Sequence, residues 1–167
     1  FFYTFDGNKF LPSIDDLLKA DYIAKYLIIW YMNEDWRNKT VDLPSDFEGI
    51  KFCYDLANSY KDLLNLDFDQ FFKFQTLLLE SVQNAIIHGN KSNPGLIVSL
   101  NIRVINDTVF FTISDSGDGF DFTKVVDPIH PDFIDKECGR GLFFIKKLAD
   151  TVEFSNSGSK ILISMSI

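Results

Sequence analysis

The sequence predicts an α/β protein in which amphipathic helices pack on antiparallel strands. Apolar residues recur at steps of three and four between Asp67 and Asn90, which is typical of a helix with one face in a core. Apolar and polar residues alternate from Leu96 to Val104 and from Val109 to Ile113, which predicts two strands with one buried face each. A chain of 167 residues with 46% hydrophobic content is long enough for one such domain with a small appendage.

The charge and the cysteine content exclude several classes of function. A net charge of -8 argues against a surface for nucleic acid or anionic lipid, because both need a basic face. Cys53 and Cys138 are far apart and form no CxxC pattern, so we interpret them as free thiols in a reducing compartment. The longest apolar run, residues 26–32, is too short to cross a bilayer. We therefore expect a cytoplasmic protein without direct nucleic-acid or membrane contact.

Residues 1–40 are predicted to be an N-terminal helical extension, and residues 41–167 the main domain. Pro12 and Ser13, followed by two aspartates, resemble a helix start, and apolar residues keep helical spacing from Ile14 to Trp30. This helix either packs on the main domain, or serves as a dimerisation helix, a partner helix or a connector to an upstream domain. The sequence leaves these alternatives open.

The main domain is expected to begin with an edge strand at residues 41–43 and then a helix. Ser45 and Glu48 have the spacing of a capping box, which satisfies free amides at a helix start. Asn65 is expected to end this helix, and Asp67 with a glutamine three residues later to start the next. The apolar stripe of that central helix comprises Phe71, Phe74, Leu78, Val82 and Ala85.

Polar residues on another side of the central helix form a candidate site. Glu80, Asn84 and His88 follow at steps of four on a side that also carries apolar residues, so they should be at least half buried. A solvated polar edge is one interpretation. The other is a metal-nucleotide site, with Glu80 as general base, Asn84 as ligand of a hard cation and His88 near the phosphates.

The downstream sequence favours the nucleotide interpretation. A tight turn at residues 106–107 should join the two strands in an antiparallel hairpin, which places Asp115 at the end of a buried strand. A carboxylate there can accept a hydrogen bond from an exocyclic amine. Gly117 and Gly119 would let the backbone approach a flat ring. This arrangement suits adenine.

A long loop and a second glycine pair complete the pattern. Residues 121–138 contain two proline breaks and little periodicity, so we interpret them as a functional lid. Gly139 and Gly141 open an amphipathic segment that is expected to run to Asp150, and free amides at a helix start bind phosphate oxygens. Arg140 adds a local positive charge. The remaining chain, residues 151–167, is predicted to form a closing hairpin.

Three segments, ESVQNAIIHGN, DSGDGF and GRGLFFIKKLAD, resemble the N, G1 and G2 boxes of the GHKL ATPase superfamily, which includes gyrase and the histidine kinases. Over residues 41–167 the chain most resembles the anti-sigma-factor serine kinases of bacterial partner switching. The resemblance implies a two-layer α/β sandwich of the Bergerat type, with a mixed, mostly antiparallel sheet covered by helices on one face. It also implies ATP and Mg²⁺ bound under a mobile lid.

The resemblance implies a role for each motif residue. Glu80 corresponds to the catalytic base, Asn84 to the Mg²⁺ ligand and Asp115 to the carboxylate that reads adenine. Ser159 falls where relatives often carry a threonine near adenine, and it keeps the hydroxyl. The implied nucleotide-binding residues are Asn84, His88, Asp115, Gly117, Gly119, Phe120, Gly139, Arg140, Gly141, Leu142 and Ser159.

By resemblance, the expected function is that of a serine/threonine protein kinase. It would transfer the γ-phosphate of ATP to a serine of a STAS-type anti-sigma antagonist, could sequester a sigma factor, and could form a homodimer. An ATP-dependent binding module without turnover is one alternative. The catalytic domain of a histidine kinase is another alternative. It is disfavoured because the only two histidines, His88 and His130, lie in the N box and the lid, so neither lies on an acceptor helix.

Overall fold

The computed structural model describes residues 36–119 and 140–167. The predicted extension up to residue 35 and the predicted lid at residues 121–138 lie outside the described residues. Within these ranges no helix is long and apolar enough to cross a membrane. The elements are β1 (Asn38–Pro44), α1 (Phe47–Leu64), α2 (Phe68–Gln83), a π-helix (Asn84–Gly89), β2 (Ile97–Ile105), β3 (Thr108–Ser114), α3 (Arg140–Leu148), β4 (Thr151–Ser155), a 3-10 turn (Asn156–Gly158) and β5 (Lys160–Ser166).

The five strands form one sheet in the order β1-β2-β3-β5-β4, and each neighbouring pair in it is antiparallel. The predicted hairpin is present, because Ile105 pairs with Thr108 across a two-residue turn in which Asn106 has a φ of 51°. The closing hairpin is also present as β4 and β5. The predicted α/β class is therefore confirmed, with wholly antiparallel pairing among the described strands.

The helices cover the sheet face that carries the alternating apolar side chains. Val98, Leu100, Ile102 and Val104 of β2 are buried, as the period of two predicted. Aromatic rings connect the layers: the ring centroids of Tyr60 and Phe74 are 5.4 Å apart, and those of Phe74 and Phe111 are 5.0 Å apart. One core thus joins α1, α2 and β3, and the predicted apolar stripe of α2 faces it.

The predicted N-cap is confirmed at α2 and is wrong at α1. Asp67 and Gln70 form a capping box at α2, with both reciprocal hydrogen bonds present. At α1 the N-cap is Asp46, whose Oδ1 accepts from the amide of Glu48 at 2.9 Å, so the predicted cap at Ser45 is wrong. Ser45 is instead fully buried, and its Oγ accepts a hydrogen bond from the side chain of Asn90.

The third helix, Arg140–Leu148, ends two residues before the expected end at Asp150. Ile145 is fully buried, on the face of α3 that packs against the core. Asp150 lies beyond the helix, and its Oδ2 accepts hydrogen bonds from the amide and the hydroxyl of Ser166 at 2.6 and 2.7 Å. These bonds attach the end of α3 to the last strand of the sheet.

Candidate nucleotide-binding site

The central helix changes its hydrogen-bond pattern where the predicted site begins. α2 ends at Gln83, and residues 84–89 form a π-helix, in which the amide of Asn90 donates to the carbonyl of Ala85 at 2.8 Å. Segments of this kind are rare and frequently lie at functional sites. The amide of Asn84 still donates to the carbonyl of Glu80, so these two residues remain one α-helical turn apart. The expected regular stacking does not extend to His88, which lies within the wider turn.

A cavity of about 340 Å³ lies between the π-helix, the ends of β3 and β5, and the start of α3. This volume is within the range of small-molecule sites. Apolar side chains and a few polar groups line it together, which is the usual composition of such sites. The lining residues are Ser81, Asn84, Ala85, His88, Gly89, Lys91, Ile113, Asp115, Gly119, Leu142, Phe154, Gly158, Ser159 and Ile161.

Most of the predicted nucleotide-binding residues meet at this cavity. Six of them line it: Asn84, His88, Asp115, Gly119, Leu142 and Ser159. Gly117 lies beside it, against Asp115, and Gly141 lies against Glu80 and Asn84. Arg140 is the first residue of α3, whereas Phe120 and Gly139 lie outside the described residues.

Asp115 is held by backbone groups on both sides. Its amide donates to the carbonyl of Ser159 at 3.0 Å, and its Oδ1 accepts from the amide of Gly117 at 2.8 Å. Burial raises the pKa of the Asp115 carboxyl, while the amides of Gly117 and Asp115 and the charge of Lys91 act in the opposite direction. Within the described residues its second oxygen has no hydrogen bond. That oxygen is available to a ligand in the cavity.

Glu80 faces the start of α3 from one turn before Asn84. A Cβ atom on Gly141 would overlap Oε2 of Glu80 and would lie 3.5 Å from Nδ2 of Asn84. An alanine there would therefore force the carboxylate end of Glu80 to move away from α3. Burial raises the pKa of the Glu80 carboxyl, which moves it toward the range in which a general base is effective.

Asn84 carries an unsatisfied polar atom. Its Nδ2 is buried and has no hydrogen-bond partner in the described part of the chain. Leaving such a group unpaired costs about 1–3 kcal/mol, so native proteins usually satisfy it with a ligand or an ordered water. Half a turn of the carboxamide would bring its oxygen to the same point. The Asn84 carboxamide can thus offer a ligand either its nitrogen as a donor or its oxygen as an acceptor.

The residues at this point fit a magnesium nucleotide. Residues 36–119 and 140–167 contain no group of three or more His, Cys, Asp or Glu side chains that could hold a metal ion alone. Mg²⁺ in nucleotide sites commonly takes one or two protein oxygens and obtains its other ligands from phosphates and water. A single carboxamide oxygen from Asn84 is compatible with that coordination.

Three further residues, Gly89, Asn90 and Lys91, belong to the site and were given no individual role from the sequence. A Cβ atom on Gly89 would overlap the carboxylate of Asp115, and one on Gly117 would overlap the carbonyl of Gly89. Asn90 is buried beneath this contact, and Lys91 lines the cavity with a φ of 55°. Gly89 and Asn90 end the N-box segment, but the polar end of a helix is equally typical of an ordinary helix terminus, so these residues received no separate role.

The sandwich and this cavity define an ATP-binding domain. The chain belongs to the family of histidine kinase-like ATPase domains, since the model of that family matches residues 54–167. This membership confirms the resemblance to the GHKL superfamily. The chain is also similar to the serine-protein kinase RsbW of Staphylococcus aureus strains JH9 and Newman, with 36% identity over 95 residues in each case. Each alignment covers 52% of this chain and 58% of the relative, so the chain spans less than two thirds of the length of these relatives.

Proposed function

We propose that the protein is an ATP-dependent serine/threonine protein kinase of the anti-sigma-factor type. The observation that carries this proposal is the meeting of Asn84, Asp115 and Ser159 around one cavity, with Glu80 directly beside it. Family membership supports the use of ATP, and the name of the similar Staphylococcus proteins supports transfer to serine. We assign residues 41–167 to the kinase domain and residues 1–40 to an extension, except that residues 38–40 already pair with β2 as the start of β1.

The adenine base would occupy the part of the cavity next to Asp115. The free carboxylate oxygen of Asp115 can accept a hydrogen bond from the exocyclic amine. Ile113 and Ile161 line the same part of the cavity and provide apolar contact for the ring. Ser159 holds the Asp115 amide through its carbonyl, while its hydroxyl donates to the carbonyl of Asn156 at 3.0 Å.

The phosphates would lie toward Asn84 and the start of α3. α3 begins beside Glu80 and Asn84, and the positive end of its dipole would attract phosphate oxygens there. The oxygen of Asn84 would hold Mg²⁺, which when bound would neutralise charge on the phosphates. His88 lines the cavity, is exposed, and stays a candidate for a phosphate contact.

Glu80 would act as the base in the transfer. The hydroxyl oxygen of the incoming serine attacks the γ-phosphorus, its proton passes to the Glu80 carboxylate, and the bond to ADP breaks. Positioning and charge stabilisation provide most of the rate in reactions of this kind. The raised pKa of Glu80 suits a group that must accept a proton near neutral pH.

The protein partners follow from the resemblance in the three boxes. The acceptor would be a serine of a STAS-type anti-sigma antagonist, and a sigma factor would be the second partner. We also propose a cytoplasmic location, and a homodimer is compatible with this class. The net charge of -8 argues against a direct contact with nucleic acid.

A labelling experiment tests the proposal. The protein is incubated with Mg²⁺, γ-labelled ATP and a candidate antagonist, and label on the antagonist is measured beside the affinity for ATP. Glu80→Gln should keep ATP binding and lose transfer, because it preserves the shape of the side chain and removes the base. Binding without any labelling by the wild type would favour the ATP-dependent binding module. Unchanged transfer by the variant would exclude Glu80 as the base.

A further inference from the structure

The side chain of Asn90 connects four separate stretches of the chain. It follows the π-helix directly and is 1% exposed. Its Nδ2 donates to Oγ of Ser45 at 2.7 Å and to the carbonyl of Ile97 at 3.1 Å, and its Oδ1 accepts from the amide of Ser116 at 2.8 Å. The entry to α1, the end of the π-helix, the start of β2 and the turn after β3 therefore meet at one carboxamide.

The bond to Ser116 bears directly on the candidate site. Ser116 follows Asp115 and is exposed, so water could satisfy its amide, yet the amide donates to buried Asn90. On the other side of the same turn, Gly117 packs against the carbonyl of Gly89. These two contacts come from the segment that also carries Asn84. They hold the Asp115 turn at a fixed distance from the phosphate end of the cavity.

We infer that Asn90 is a positioning residue that fixes the Asp115 carboxylate for recognition of the purine amine, and so contributes to base selectivity. This inference rests on the proposed function, because it assumes that the cavity binds adenine. Asn90 does not line the cavity and acts only through the Asp115 turn.

The chemistry of the three hydrogen bonds requires a carboxamide. The position needs two donors for Ser45 and Ile97 and one acceptor for Ser116, and asparagine supplies all of them from one planar group. Aspartate would keep the acceptor and lose both donors. Alanine would lose every bond and leave the Ser116 amide without its buried acceptor.

Ser45 provides a matched control. Ser45→Ala removes one of the two bonds from Nδ2 and leaves the bond between Oδ1 of Asn90 and the Ser116 amide. Both Ser45→Ala and Asn90→Ala delete buried polar contacts and should lower the melting temperature. Only Asn90→Ala releases the Asp115 turn.

The test compares ADP with inosine diphosphate, which has a carbonyl oxygen where adenine has its exocyclic amine. The affinities of the wild type, Ser45→Ala and Asn90→Ala for both ligands are measured by calorimetry at a temperature where each protein is folded. We expect the preference of the wild type for ADP to fall about tenfold in Asn90→Ala, which corresponds to the loss of one well-placed hydrogen bond. The preference of Ser45→Ala for ADP should stay within about twofold of the wild-type preference, since this variant keeps the turn in place.

A purely structural role for Asn90 would lower stability without changing the ratio of the two affinities. An unchanged ratio in Asn90→Ala, or an equal loss in Ser45→Ala, would therefore overturn the inference while ADP binding and the proposed function stand. A wild type that binds ADP no better than inosine diphosphate would overturn the adenine assignment itself, and the inference with it.

Amide exchange provides a second measurement in case Asn90→Ala does not fold. In the wild type without nucleotide, the Ser116 amide should exchange at least about tenfold more slowly than in an unstructured chain, despite the exposure of Ser116. Exchange at the unstructured rate would show that the turn is not held and would overturn the inference.

Discussion

Replacing Asn84 with leucine should stabilise the protein without nucleotide and abolish its stabilisation by nucleotide. The buried Nδ2 of Asn84 has no partner among the described residues, and an unpaired group of this kind costs about 1–3 kcal/mol. Leucine has a similar shape and no polar atom, so part of that cost is recovered. We expect the free energy of unfolding to rise by about 1 kcal/mol and the melting temperature by about 2–4 °C.

Nucleotide should stabilise the wild type and leave the stability of Asn84→Leu almost unchanged. ADP and Mg²⁺ at about one hundred times the dissociation constant stabilise a folded protein by about 2.7 kcal/mol, which is roughly 5–10 °C for a chain of this size. The wild type should show this shift in a thermal unfolding assay. Asn84→Leu should show little of it, because the leucine side chain cannot contact a cation or a phosphate.

Gln83→Leu is the matched control for this experiment. Gln83 is the neighbouring residue on α2, is half-buried, and is not among the residues that line the cavity. This variant should respond to nucleotide as the wild type does. Destabilisation of ligand-free Asn84→Leu, or a full nucleotide shift in it, would refute the argument that the Asn84 amide is held unpaired for a ligand.

Three further predictions concern charge, close packing and the core. Asp115→Asn should raise the free energy of unfolding at neutral pH, because burial raises the pKa of the Asp115 carboxyl and so disfavours its ionised form in the folded protein. In urea titrations at several pH values, this gain should shrink as the pH falls below the raised pKa and should be gone below the ordinary value of 3.8, where the carboxyl is protonated in both states. Gly141→Ala should lower kcat at least about tenfold in the labelling assay, because the new Cβ displaces the Glu80 carboxylate, whereas exposed Gly95→Ala should have little effect. Phe74→Ala should lower the free energy of unfolding by about 3–5 kcal/mol in urea titrations, because two aromatic contacts and a fully buried ring are lost.

The sequence was informative where short-range periodicity decides the structure. The period of two in β2 and β3 predicted which side chains enter the core, and the tight turn between them predicted their pairing. The capping box at Asp67 was also predictable, because its two hydrogen bonds connect residues three positions apart. For the site, the order of the three motifs predicted that Asn84 and Asp115 share a cavity.

Contacts between distant residues could not be predicted in this way. Ser45 had the spacing of a helix cap, but its hydroxyl is bonded to Asn90, which is 45 positions away, so Asp46 caps α1. The π-helix was missed for a similar reason, since steps of four fit either pattern until the packing of Gly89 on Asp115 is known. The roles of residues 1–35 and of the lid remain predictions from sequence.

The wide turn at residues 84–89 has a consequence for redesign. Because each bond there spans five positions, the segment accommodates more residues per turn than the α-helix before it. Deleting one residue to restore regular winding would leave the chain on either side in nearly the same orientation, because the wide turn has already absorbed the extra residue. The segment would then have one position fewer, in a region where Asn84 and His88 line the cavity and the Gly89 carbonyl contacts Gly117. A designer who straightened this helix for heat resistance would thus keep the fold and remove a contact from the nucleotide cavity.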